Sequence, residues 1–78
     1  MKIELQSNAI IAETEKAFLI KVPKKDEAFW YPKRFCNFFG KNGYILSIWF
    51  GDSFTIKVFK HLTKSKIEVG EFSPDYLI

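Results

Sequence analysis

Cysteine and histidine occur once each, at Cys36 and His61, and this scarcity closes off most site chemistry at the outset. A lone cysteine forms no internal disulfide. Small secreted domains usually rely on such staples, so the composition points to a reducing cytoplasm. Metal centres need several ligands, and two residues without paired spacing do not supply them. As a nucleophile Cys36 would need a neighbouring base, and only His61 could serve. A half-buried apolar Cys36 and an exposed His61 are the simpler readings. Arginine is also scarce: Arg34 stands against eleven lysines, and arginine is the stronger sign of specific phosphate or base contact. The sequence has no charged-then-apolar leader pattern and no apolar run of membrane-spanning length, so no membrane association is expected.

Catalytic constellations are missing as well. The carboxylate pairs Glu13/Glu15 and Asp26/Glu27 fall in polar turns, where nothing raises one pKa and lowers the other. Gly40-Lys41-Asn42-Gly43 has neither the full spacing of a phosphate-cradling loop nor the Ser/Thr that follows its lysine, and it reads as a turn. No group of residues meets the requirements of an active site, so the expectation is a non-catalytic protein with no metal and no cofactor.

What the chain does contain is aromatic. Nine Phe, two Trp and three Tyr make up 18% of 78 residues, and hydrophobic residues make up 47%, which argues for a folded chain. This length is one domain, residues 1–78, and large aromatic side chains offset a small core. Most of the aromatics concentrate between Ala28 and Lys60. Charge follows the same division. Residues 1–27 carry five lysines and five acids. Residues 28–67 carry seven cations against Asp52 alone, giving +6, and residues 68–78 carry −3. A basic segment interleaved with aromatics suits a polyanion or an acidic protein surface; a solvated lysine-rich surface has the same composition.

Alternation predicts strands. KIELQ (2–6) places Ile3 and Leu5 on one side. AIIAE (9–13) and KAFLIKV (16–22) form a hairpin around Thr14-Glu15, with Phe18, Ile20 and Val22 sharing a face. PKKDE (23–27) is a surface loop. Pro32 holds Tyr31 extended, which makes Trp30-Tyr31-Pro32 a strand end or sheet edge with Trp30 as an anchor at the core edge. RFCNFFG (34–40) is compatible with a strand or with helical turns. The strand is favoured by the following Lys41-Asn42-Gly43-Tyr44, which carries the Asn-Gly pair of a type I′ turn. HLTKSK (61–66) is a basic linker and IEVGEF (67–72) a last strand. Ser73-Pro74-Asp75 starts a helical turn.

YILSIWF (44–50) and FTIKVFK (54–60) flank Gly51-Asp52-Ser53 and predict a hairpin. A three-residue loop pairs Phe50 with Phe54, Ile48 with Ile56 and Leu46 with Val58, making one wholly apolar face. Trp49, Lys57 and Phe59 then share the other face, with Lys60, Lys33 and Arg34 near it. Open to solvent, that face is an aromatic platform edged by cations, suited to single-stranded nucleic acid. In a chain this small the N-terminal hairpin could cover it instead, as a second layer. The fold class expected is all-β: a small curled antiparallel sheet or barrel of SH3-like or OB-like size, with five to seven strands and a C-terminal helical turn.

The run IIAETEKAFLIKVPKKDEAFWYPKR, starting at residue 10, resembles a pattern in small uncharacterised proteins of Gram-positive phages, plasmids and conjugative elements. The pattern is ETEKA, an apolar strand, a polar loop, an aromatic-W-x-P-K segment and a Tyr/Thr/Phe-rich hairpin. The matching residues are Glu13 to Ala17, then Phe29, Trp30, Pro32 and Lys33, then Phe54 to Phe59, so the likeness spans roughly residues 9–60. The chain departs from the pattern after Pro-Lys, where similar sequences have an aliphatic, helix-like stretch and this one has Arg34-Phe35-Cys36-Asn37-Phe38-Phe39. The resemblance transfers no residue roles. It implies an accessory protein of a mobile element, in the cytoplasm of a bacterial host, with a binding role. Three readings follow: a nucleic-acid-associated module acting through Trp49, Lys57, Phe59, Lys60, Lys33 and Arg34; an inhibitor or adaptor that acts on a host or defence protein, its partner being host- or element-encoded; and a homodimer that buries its aromatic edge.

Overall fold

The computed structural model describes residues 1–51, 53–60 and 67–78; Asp52 and residues 61–66, which include the expected basic linker and His61, lie outside them. The described residues form eight strands: β1 (Lys2–Gln6), β2 (Ile10–Glu13), β3 (Ala17–Lys21), β4 (Glu27–Pro32), β5 (Cys36–Phe39), β6 (Ile45–Trp49), β7 (Ile56–Lys60) and β8 (Glu68–Phe72). They build a three-stranded sheet of order β1-β6-β5 and a five-stranded sheet of order β2-β3-β4-β7-β8. Every pairing is antiparallel. The all-β expectation holds. Eight strands replace the five to seven expected, and they form two open antiparallel sheets where a single curled sheet or barrel was expected.

Local sequence accounts for most elements. Along β3, Phe18 and Ile20 are buried while Ala17, Leu19 and Lys21 are half-buried, and Val22 continues the inward series. The β2–β3 hairpin closes where the Thr14 N–H donates to the Ala17 carbonyl at 2.9 Å and the Ala17 N–H donates to Thr14 Oγ1 at 3.2 Å. Between β5 and β6, Asn42 (φ +57°) and Gly43 (φ +68°) are both left-handed, and the Tyr44 N–H donates to the Lys41 carbonyl at 3.1 Å. Those are the marks of the expected type I′ turn, which Asn tolerates and Gly adopts freely. Residues 34–39 divide between the two compatible readings: Lys33–Phe35 is a 3-10 turn and Cys36–Phe39 a strand. A 3-10 turn over Pro74–Leu77 ends the chain, although the Ser73 side chain makes no capping bond. Leu77 is buried there, Tyr76 stacks on Phe72 with ring centroids 4.0 Å apart, and the Tyr76 hydroxyl donates to Glu27 Oε1 at 2.6 Å.

The inner faces of the two sheets meet in one apolar cluster. Ile3, Leu46 and Ile48 come from the three-stranded sheet, and Phe18, Ile20, Phe29, Tyr31, Ile56 and Val58 from the five-stranded sheet. The expected hairpin of 44–50 with 54–60 does not form. β6 has β1 on one side and β5 on the other, so neither edge is open to β7. Phe50 is also held by the N-terminus: its N–H donates to the Met1 carbonyl at 2.7 Å, and the Met1 amino group donates to the Phe50 carbonyl at 2.9 Å. The chain then crosses to the other sheet, where β7 lies between β4 and β8. Leu46, Ile48, Phe50, Ile56 and Val58 are buried as expected, but they meet across the core and are not paired within a sheet. Phe54 is the exception. It is 39% exposed and sets its ring edge against Tyr31, centroids 5.3 Å apart.

Candidate binding surface

Because β6 and β7 belong to different sheets, the expected platform is divided. Trp49 projects from the outer face of the three-stranded sheet, opposite Lys2 of β1 and 55% exposed. Lys57 and Phe59 lie on the outer face of the five-stranded sheet. The common face of Trp49, Lys57 and Phe59 is therefore overturned by the strand order. Neither outer face is covered by the β2–β3 hairpin, whose strands lie within the five-stranded sheet. Lys60 stands opposite Glu27, at the start of the β4–β7 pairing.

The other tryptophan takes the central place. Phe29 and Tyr31 face the core, so alternation turns Trp30 outward, where it is 42% exposed opposite Leu19 of β3. Trp30 is thus no core-edge anchor; Tyr31 fills that role. Buried, the Tyr31 hydroxyl donates to the Trp49 carbonyl at 2.7 Å and links the two sheets. Burial, reinforced by the neighbouring Cys36 thiolate charge, pushes its pKa up to about 12. Burial also pushes the Cys36 thiol up, which disfavours the thiolate that nucleophilic chemistry requires.

Two grooves meet at Trp30. The first, about 600 Å³, runs along β4 and β7 beyond their two residue pairs, Glu27 with Lys60 and Ala28 with Phe59. Phe54, Lys57 and Phe59 line it together with Glu68 and Glu71. Lys57 lies 4.0 Å from Glu71, and with Glu68 added the charged lining is acidic on balance. The second groove, about 580 Å³, is lined by Lys16, Ala17, Pro32, Lys33 and Arg34 with Trp30 and Tyr31. Lys33 pairs with Glu13 and lies 5.0 Å from the Phe18 ring centroid; the Arg34 guanidinium lies 4.8 Å from the Phe35 ring. Of the six expected residues, Lys57 and Phe59 therefore line one groove, Lys33 and Arg34 the other, and Trp49 and Lys60 line neither.

Lys16 and Trp30 were not among the expected site residues. The parity of β4 carries a signal for Trp30, since a buried Tyr31 forces its neighbour outward. Nothing local to Lys16 reveals it; the β3–β4 register brings Ala17 opposite Pro32 and so sets Lys16 beside that strand's end. Among the described residues no cluster of three or more His, Cys, Asp or Glu could hold a metal ion, and no helix is long and apolar enough to cross a membrane. Comparison with protein-family models, curated proteins and solved structures finds no match to the chain.

Proposed function

We propose that this chain is a non-catalytic binding protein that takes single-stranded nucleic acid around Trp30, and that, as the resemblance above implies, it serves a phage or other mobile element in the cytoplasm of a bacterial host. The observation that carries the reading is an exposed indole bordering a groove that holds Lys16, Lys33 and Arg34. A base stacks on any aromatic face, and nearby cations neutralise the phosphates that follow it. Lysines far outnumber arginine, which fits sequence-tolerant binding.

Fluorescence anisotropy of labelled single-stranded and duplex DNA and RNA tests the proposal. Binding in the micromolar range, weakening with salt and preferring single strands, is the expected result. Trp30→Ala should lower affinity about 5- to 150-fold, the range for one lost stacking contact of about 1–3 kcal/mol. Trp49→Ala should leave it unchanged. No binding at low salt would refute the reading. A protein partner on the same face is the second reading, favoured by the apolar lining that Pro32, Phe54 and Phe59 give the first groove. A partner from nuclease-treated host lysate that is lost on Trp30→Ala would support it.

A further inference from the structure

We infer that two copies of this chain associate through the free edge of β5, merging their three-stranded sheets into one six-stranded sheet about a two-fold axis. Among the described residues four strands border the two sheets: β1 and β5 on one, β2 and β8 on the other. An edge strand presents a row of unpaired N–H and C=O groups, and proteins protect such edges with charges, prolines or bulges. Three of these edges carry charge: Lys2 and Glu4 on β1, Glu13 on β2, Glu68 and Glu71 on β8. β5 reads Cys-Asn-Phe-Phe, with no charge and no proline. Its two phenylalanines are exposed as well, Phe38 at 48% and Phe39 at 41%.

A second strand can replace water on the backbone groups of this row. The strand must be as neutral as β5, because a charged one would lose hydration against Phe38 and Phe39 with no counter-charge to meet. A second β5 meets that condition, and it brings no lysine of this net-positive chain into the strand pairing. Two half-exposed phenylalanines per copy, at about 100 Å² each, plus a short backbone strip, fall below the roughly 1,200 Å² that stable specific interfaces bury. The dimer is therefore weak and reversible.

Parity fixes the register. A two-fold axis perpendicular to the merged sheet keeps inward residues opposite inward residues, so the axis passes through a residue and its own copy. Centred on Phe38, it sets Phe38 against Phe38 of the second copy and Asn37 against Phe39. The Phe38 ring already stands edge-on to Phe18, with centroids 5.8 Å apart, so the aromatic pair extends a cluster already built.

Sedimentation equilibrium of the whole chain tests the interface. The weight-average mass should rise toward two copies at concentrations on the order of 0.1–1 mM, as suits so small an interface. Added salt should not disperse this association, since backbone pairing and Phe38 hold it and no opposite charges do. Asn37→Lys, on an exposed position, should hold the chain monomeric with an unchanged circular dichroism spectrum. Independently of that variant, Phe38→Cys in a Cys36→Ser background should cross-link under mild oxidation far faster than Glu71→Cys in the same background. A monomer throughout, a dimer undiminished by Asn37→Lys, cross-linking no faster than the control, or a mass growing past two copies would each overturn the inference.

Discussion

The hydroxyl of Tyr31 reaches from the five-stranded sheet to the carbonyl of Trp49 on the three-stranded one. Removing it leaves a carbonyl without its partner, so Tyr31→Phe should cost about 1–2 kcal/mol by urea denaturation at neutral pH. The same residue links stability to alkaline pH. Its folded pKa is raised from 10.0 to about 12, so the folded chain keeps a proton that the unfolded chain releases. This contribution is fully present below pH 10 and declines as pH rises from there toward about 12. Melting curves across that window should fall less steeply for Tyr31→Phe than for the native chain. The two tryptophans differ at this scale as well. Both are exposed, but Trp30 borders the groove that Lys16, Lys33 and Arg34 line, whereas Trp49 stands opposite Lys2 on the other sheet, so their alanine variants should differ in nucleic-acid affinity.

At the scale of elements, β6 is the strand on which the smaller sheet depends. It pairs with β1 over five residue positions and with β5 over four, and it presents Leu46 and Ile48 to the core without exposure. Leu46→Ala should therefore cost about 2–5 kcal/mol in a urea titration, the range for a cavity in a close-packed interior. The turn into β6 is more particular in its demands. Gly43 holds φ +68°, and an added Cβ would meet the Phe38 Cβ at 3.6 Å, ordinary contact, so the cost of Gly43→Ala is conformational. About 1–2 kcal/mol is expected by the same titration. This turn and the hairpin at Thr14 were legible in the sequence because their chemistry is local. The supposed hairpin at Gly51 was not, because alternation identifies a strand's inward face and leaves its neighbour in the sheet undetermined.

For the molecule as a whole, the distribution of charge matters more than its total. Three cations of the basic segment divide between two grooves of opposite character around one indole: Lys33 and Arg34 join Lys16 on one side, and Lys57 joins Glu68 and Glu71 on the other. Under the proposed function, Lys16→Glu combined with Arg34→Glu should weaken single-strand binding and flatten its dependence on log salt by about 0.7 per lost phosphate contact. Lys57→Glu should change affinity little, because Glu68 and Glu71 already offset that lysine. Anisotropy titrations at two or more salt concentrations read both effects.

The sequence by itself determined the class of structure and most of the core, though it buried Phe54 and gave Trp30 the place that Tyr31 fills. Period-two alternation and Asn-Gly at 42–43 are properties of neighbouring residues, and neighbouring residues suffice to specify most strands, the turn at Asn42-Gly43 and which side chains are apolar enough to be buried. Tertiary structure decided which strands lie side by side. Met1 clasps Phe50, β1 and β5 occupy both edges of β6, and β7 is thereby sent to the other sheet. That choice separated Trp49 from Lys57 and Phe59, while the β3–β4 register set Lys16 beside the end of the strand that carries Trp30. Pairing between distant strands depends on the fit of whole faces across a shared core, a sum over many residues that no single stretch of sequence displays.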